Sequence, residues 1–488
     1  MPVIKGMKTN TRWPSLIVLC IGFLLIVVDM TIVNVALPSI QRDLRFTQAG
    51  LAWVVNSYLI AFGGLLLLAG RLGDLFGRKR TFLIGLGIFI GASVLCGLSV
   101  NQPMLIAARF VQGIGGAVSS AVILAMIVTL FPEPDDQAKA FGVFSFVASA
   151  GAAIGLLAGG LITQAVSWHW IFFVNVPIGA VTAIAAARLL ASDRGLGVSR
   201  GADVLGALLV TGSLMLAVYT IAESSVYGLA STHTLVTGAI ALVLLAAFIV
   251  RQAMASDPIL PLRLFASRKL AASNVVQALM SSAFIGFFFL GSLDLERVLG
   301  YGPMAIGLAF LPVAAVMAAF SIRFSAQLIG RFGPVAVLAA GQGVAAVSLA
   351  MLALGPTDAS YAIHFLFPLA LLGLGGGLSF PALTIIAMSG VSPADAGMAS
   401  GVLNTTGQVG GALGLAVLAT LAGWRTLSLA GGGAATAAAL AGGYHLAWLA
   451  GAGAVIGTLA LVVTVLRAEQ PAPVPVQMPD AECCEAAA

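Results

Sequence analysis

The chain has 488 residues, 60% of them hydrophobic and only 8% charged, with a mean hydropathy of +1.07. That lies far outside soluble globular usage, and the recurring apolar runs specify an integral membrane protein. The formal net charge of +5 reads as membrane topology rather than as a nucleic-acid surface, because basic residues collect in cytoplasmic loops.

In chain order the apolar runs predict fourteen helical spans, at about 14–38, 49–69, 82–100, 103–130, 140–163, 168–190, 203–222, 232–252, 270–291, 304–326, 334–355, 361–389, 398–423 and 442–466. Each is about 20 residues or more, which suits a helix rather than the roughly 10-residue alternating strand of a barrel. The first run is too long for a signal h-region and is followed by no small-residue cleavage site. An even number of spans puts both termini on one side. With those termini cytoplasmic, only Arg42, Arg45, Arg297 and Arg425 of the 23 Lys and Arg face out, and Arg109 lies within a span. The reverse orientation violates the positive-inside rule.

Span 1 carries Asp29 deep in its apolar run. An ionised Asp at a helix centre costs roughly 2.5–3.5 kcal/mol, so the group is suited to taking up and releasing a proton. The bland alternative is a carboxyl held in structural hydrogen bonds. Asn34, further along the span, is a candidate for lining a cavity. The loop after span 2 reads "GRLGDLFGRKR", 70–80. As a short basic loop it would merely fix topology, but that leaves Asp74 and the glycines unexplained. In a helical turn Asp74 and Arg78 are four apart and can pair, while Gly73 and Gly77 form a small-xxx-small face for close helix approach. Gly70, Arg71, Gly73, Asp74, Gly77, Arg78, Lys79 and Arg80 are therefore candidates for a contact that is made and broken.

In span 4, Arg109 is the basic residue well inside the membrane. Its guanidinium stays charged, so its expected work is electrostatic, with helix packing against backbone carbonyls as the alternative. Gln112, one turn on, shares its face. Span 5 contains Gly151, Gly155, Gly159 and Gly160, a spacing that allows close packing and bending. Asp294 and Glu296 end span 9, and Asn404 and Gln408 lie in span 13. Asn34, Gln112, Asn404, Gln408 and Asp294 are the substrate-cavity candidates. Four cysteines at Cys20, Cys96, Cys483 and Cys484 make no disulfide framework. No catalytic triad, metal-ligand spacing or phosphate-binding loop is present, so neither an enzyme nor a cofactor or metal is expected.

The chain also echoes itself. "DLFGR" (74–78) returns as "QLIGR" (327–331), and "QGIGGA" (112–117) as "LGLGGG" (372–377). Two homologous halves follow. The predicted organisation is a cytoplasmic N-terminus (1–13), a six-helix bundle (14–190), a linker with two additional helices (191–269), a second six-helix bundle (270–467) and a disordered cytoplasmic tail (468–488). Two such halves suit a rocker-type transporter with its site at their interface. In the second copy Asp74 becomes Gln327 and Arg109 becomes Leu369, so the charge is kept in the N-terminal half.

Together these motifs resemble the major facilitator superfamily, in its fourteen-span drug:proton antiporter branch. The resemblance rests on "GRLGDLFGRKR", on "LLIVVDMTIVNVALPSI" (24–40), "ARFVQGIGGA" (108–117), "WHWIFFVNVPIG" (168–179), "ERVLGYGPMAIGLAFLP" (296–312) and "DAGMASGVLNTTGQVGGALGLAV" (395–417). It implies an all-α fold of two pseudo-symmetric bundles and proton-coupled export of hydrophobic or amphiphilic drugs. It implies proton coupling through Asp29 and Arg109, and an interdomain latch at 70–80 whose partner lies around Pro393 to Gly397. The implied partners are a small-molecule substrate, protons and the lipid bilayer, with no nucleic acid, for a monomer in the cell membrane of a high-GC bacterium. Leu156 stands where the branch has Pro in its span-5 motif, His169 replaces a usual Arg, and Gly407 sits where relatives often carry Arg. A dedicated exporter of one metabolite or antibiotic, a nutrient importer and a non-transporting receptor are the rival readings.

Overall fold

The structure is a computed structural model and describes residues 12–191, 203–228, 230–255, 258–260, 262–355, 361–389, 391, 396–432 and 436–466. The expected tail at 468–488 lies outside them. No strand occurs among the described residues, as befits apolar segments that must satisfy every backbone group internally. The helices run α1 (Arg12–Leu44), α2 (Gln48–Phe76), α3 (Arg78–Gly97), α4 (Gln102–Leu130), α5 (Pro134–Ala165), α6 (Trp170–Phe173) and α7 (Asn175–Leu189). They continue with α8 (Val204–Tyr227), α9 (Thr232–Met254), α10 (Arg268–Arg297), α11 (Pro303–Ala309), α12 (Leu311–Ala319) and α13 (Ser325–Phe332). The last are α14 (Pro334–Leu354), α15 (Phe367–Met388), α16 (Ala396–Gly431) and α17 (Thr436–Leu461).

Among the described residues, thirteen helical segments are long and apolar enough to cross a membrane, and α5 adds a shorter apolar stretch, Ala150–Ala165. Two predicted spans are interrupted. The run 168–190 is split into α6 and α7, and the run 304–326 becomes α11, α12 and a π-turn at Phe320–Phe324 that leads into α13. Local caps set several of the starts. The side chains of Thr47, Asn101 and Ser231 accept the N–H of Gly50, Met104 and Thr234, which satisfies orphan donors of the first turn.

The internal repeat is visible as packing. On α3, Gly85 meets α4 at the Gly115 carbonyl and the Ser119 hydroxyl; on α14, Gly341 meets α15 at the Gly375 carbonyl and the Ser379 hydroxyl. A methyl group at Gly85 or at Gly341 would stand 2.9 Å from the facing carbonyl oxygen. Only glycine lets these backbones touch. Both junctions that precede the paired helices turn on a positive-φ glycine, Gly77 (φ 96°) before α3 and Gly333 (φ 80°) before α14. The structural counterpart of Gly77 is thus Gly333, whereas the motif alignment matches it to Gly330. With that register, Asp74 corresponds to Gly330 in the second copy rather than to Gln327.

Of the α8–α9 pair, α8 sits where α2 and α16 meet. α8 packs on both α2 and α16: Thr211 fills the space beside Gly64, and Thr420 donates to the Ile221 carbonyl at 3.2 Å. α9 packs on α8 and leaves most of its apolar side chains exposed.

Candidate functional site

A polar cluster is sealed inside the N-terminal helices, halfway along α1. Asp29 is 0% exposed and Arg109 1%. Asp29 Oδ2 accepts Arg109 Nη1 at 2.6 Å. Its Oδ1 accepts Gln112 Nε2 at 2.7 Å and Asn175 Nδ2 at 2.9 Å. Arg109 also donates to the Gln112 side-chain oxygen at 2.7 Å and to the Val54 carbonyl at 3.0 Å, and its guanidinium lies 4.4 Å from the Tyr58 ring centroid. Gln112 donates in turn to Ser93 Oγ at 2.9 Å. Helices α1, α2, α3, α4 and α7 each supply a part. A buried ion pair is tolerated when further hydrogen bonds satisfy its donors and lone pairs; here Asp29 accepts three bonds and Arg109 gives three, while the Asn175 Oδ1 and the Tyr58 hydroxyl beside them are buried without a partner among the described residues.

The repeat shows what this cluster is not for. In the register fixed by the paired glycines, Ser93, Arg109 and Gln112 correspond to Leu349, Leu369 and Leu372, each 1% exposed or less. The same helix crossing is therefore filled by leucine in the C-terminal half, so packing alone does not require the polar cluster.

The other candidates fall in different places. Asn34 is part-buried and donates to the Met30 carbonyl, and Asn404 is exposed and donates to Ser400. Gln408 packs against Gly63 where α16 crosses α2. Gln112 belongs to the Asp29 cluster rather than to an open surface. Asp294 is buried beside the Trp448 indole. Gly151 and Gly155 pack on the Leu24–Thr31 face of α1, Gly159 on Ile32 and Gly160 on the backbone of Pro303 and Met304. The span-5 glycines thus form a seam to α1 and onward to α11. Leu156 is buried in that same seam.

The basic loop is anchored to its own helices. Asp74 and Arg78 approach to 3.5 Å, Arg78 donates to the Ala125 carbonyl at 3.0 Å, and Lys79 donates to the carbonyls of Ala187 and Leu190 at 2.8 and 2.7 Å. Gly73 lies against Val122, while Gly70 has open space beside it. Arg71 closes in the last turns of α2 and Arg80 stands in the first turn of α3. Of the expected latch partner around Pro393 to Gly397, residues 392–395 lie outside the described residues.

At the opposite end, sequence reading missed a set of contacts between the halves. Arg42 on α1 pairs with Glu296 on α10 at 3.1 Å, and Arg297 donates to the Gln41 side chain. The Met304 amide donates to Gln164 at 3.2 Å. Nothing in the local sequence distinguishes these residues from ordinary loop-end charges.

Residues 19–415 match the family model described as Major Facilitator Superfamily. The chain belongs to that superfamily. As a superfamily member it is a membrane transport protein, and its relatives include antibiotic export and resistance proteins. It is 38% identical to the cephamycin export protein CmcT of Amycolatopsis lactamdurans over 85% of this chain and 86% of that protein. It is 39% identical to the puromycin resistance protein pur8 of Streptomyces alboniger, over 89% and 86%. Among solved structures, the POT family transporter PepTSo is similar at a TM-score of 0.68 and 16% identity, over 95% of this chain and 99% of that one; this shows the fold alone. These findings agree with the drug-efflux resemblance of the motifs.

Proposed function

We propose that this superfamily member is a proton-coupled exporter of hydrophobic or amphiphilic antibiotics, working by alternating access as a monomer in the cell membrane. In this reading α5 is the fourteenth span, both termini are cytoplasmic, and the halves 14–190 and 270–467 rock about the midplane with the α8–α9 hairpin riding on their seam. The loop at 70–80 is the cytoplasmic latch. No bond is made or broken in the substrate, and no cofactor is needed.

The carrying observation is the polar cluster in the N-terminal half where the C-terminal half has leucines. Three donors from two helices, Arg109 and Gln112 on α4 and Asn175 on α7, converge on the Asp29 carboxylate. A proton arriving on Oδ1 displaces Gln112 or Asn175, and one on Oδ2 removes the charge that holds Arg109, so protonation is tied to the α1–α4–α7 contact. Arg109 keeps its charge throughout and then falls back on Gln112 and the Val54 carbonyl. Asp29 takes its proton from outside as substrate leaves, and its release inside resets the cycle. Each proton entering supplies roughly 2.3 kcal/mol per 100 mV of membrane potential.

A narrower reading, export of one antibiotic, is favoured by the two relatives, each named for a single compound. The test uses everted vesicles with an acid interior and a pH-sensitive dye, challenged with lipophilic cations, neutral antibiotics including puromycin, and anionic dyes. A compound that dissipates the gradient with the native protein but not with Asp29→Asn supports coupling through Asp29. Equal dissipation by both removes Asp29 from the role. A response confined to one compound selects the narrower reading.

A further inference from the structure

The C-terminal half has its own buried acid, and it stands where the two halves close. Asp294 lies on α10 and is 3% exposed. Among the described residues it enters no ion pair; its neighbours are the Trp448 indole and the Tyr444 phenol on α17. Below it the face of α10 is aromatic, with Phe287 5.6 Å from Trp448 and 5.8 Å from Phe310 between centroids. Asp29 has three donors and a cation around it. Among the described residues Asp294 has no cation beside it, only the Trp448 indole N–H.

The charged groups around it are few. On its own helix, Glu296 and Arg297 point to the far half, to Arg42 and Gln41 of α1. Arg297 also stands beside Tyr444, on the α17 face next to half-buried His445. Of the other helices packed on α10, α11 and α15 contain no titratable side chain, and α16 contributes Arg425 alone. The Arg42–Glu296 and Gln41–Arg297 contacts that join α10 to α1 thus stand within one turn of Asp294, and Tyr444 lies beside both Asp294 and Arg297.

We propose that Asp294 is a second proton-binding site, and that occupying it from the outer solution is the condition for closing the outer end. Burying an ionised carboxylate without a counter-charge costs several kcal/mol, and a neutral carboxyl avoids this. When the halves part at Arg42–Glu296, water reaches Asp294 and the proton leaves to the outer solution. When they close, Asp294 must carry one. Acid outside therefore favours the outer-closed form. The inference rests on the orientation proposed above for which solution the site meets, but not on Asp29 as the coupling carboxylate.

The test needs no substrate. Val100 and Leu354, both at this end and exposed, are changed to Cys for nitroxide labels, with Cys483 and Cys484 replaced by Ser and the buried Cys20 and Cys96 left in place. Inter-label distances are measured by double electron–electron resonance in nanodiscs across a pH titration. The expected result is a closed-to-open ratio that rises as pH falls, by up to about tenfold per pH unit for one linked proton. Asp294→Asn, close in shape to the neutral acid, should remain closed with the slope abolished. Asp294→Glu should keep a slope with a displaced midpoint, which covers the case in which the Asn variant fails to assemble. A slope that survives Asp294→Asn unchanged overturns the proposal, as does one lost in Asp29→Asn and kept in Asp294→Asn. Because the vesicle assay reads Asp29 separately, failure of one reading is distinguishable from failure of the other.

Discussion

The Asp29 carboxylate and the Arg109 guanidinium, 80 residues apart in sequence, meet at 2.6 Å with neither exposed beyond 2% of its side chain. Neither is tolerable there alone. Removing one partner of a buried pair costs about 3–5 kcal/mol, because the other charge is left uncompensated. Arg109→Leu should therefore lower thermal stability in detergent sharply. The double change Asp29→Leu with Arg109→Leu should recover much of the loss, since leucine already fills the matching position at Leu369, yet it should transport nothing. A double variant no more stable than the single one would make the pair a structural necessity.

The paired glycines give a prediction about the repeat. Gly115→Ala and Gly375→Ala each place a methyl against the backbone of the neighbouring helix, and overpacking of this kind costs about 1–3 kcal/mol. Gly91→Ala, with open space beside it, should leave the melting temperature within error. Comparable shifts for all three variants would remove close backbone approach as the explanation.

The base of the α8–α9 hairpin should be acid-sensitive. Burial alone pushes the Asp203 carboxyl up, but the Gly206 N–H, Gln252 and Arg251 together outweigh it and hold the group below the usual carboxylate range. Its stabilisation is present above the ordinary carboxylate range near pH 3.9 and is lost as pH falls through the lower, folded value. Asp203→Asn should lower stability at neutral pH by about 1 kcal/mol through the weakened cap and ion pair. The gap to the native protein should narrow in strong acid, as measured by thermal melts in a pH series.

At the loop of the proposed latch, Gly77 holds φ 96° and ψ 135°, a region essentially closed to residues with a Cβ. Gly77→Ala should cost about 1–3 kcal/mol and slow dye-reported transport. Arg80→Gln keeps the backbone and should leave the melting temperature unchanged. A Gly77→Ala protein that melts and transports like the native one would mean that the turn relaxes without consequence.

The sequence by itself determined the membrane class, nearly all of the helical spans, the existence of a repeat, and Asp29 and Arg109 as the residues out of place in an apolar run. These are one-dimensional properties: hydropathy over about 20 residues decides insertion, and a charge inside such a run is conspicuous wherever its partner lies. Only the tertiary structure decided that Asp29, Arg109, Gln112 and Asn175 form one network, that Ser93 and Tyr58 belong beside it, and that Gly77 matches Gly333. It likewise decided that Arg42 on α1 pairs with Glu296 on α10, within one turn of the buried Asp294. Those facts depend on the depth and rotation of helices far apart in sequence. Both are set by where glycines let backbones approach, and a one-residue turn of about 100° there sends a side chain to lipid instead of to its partner.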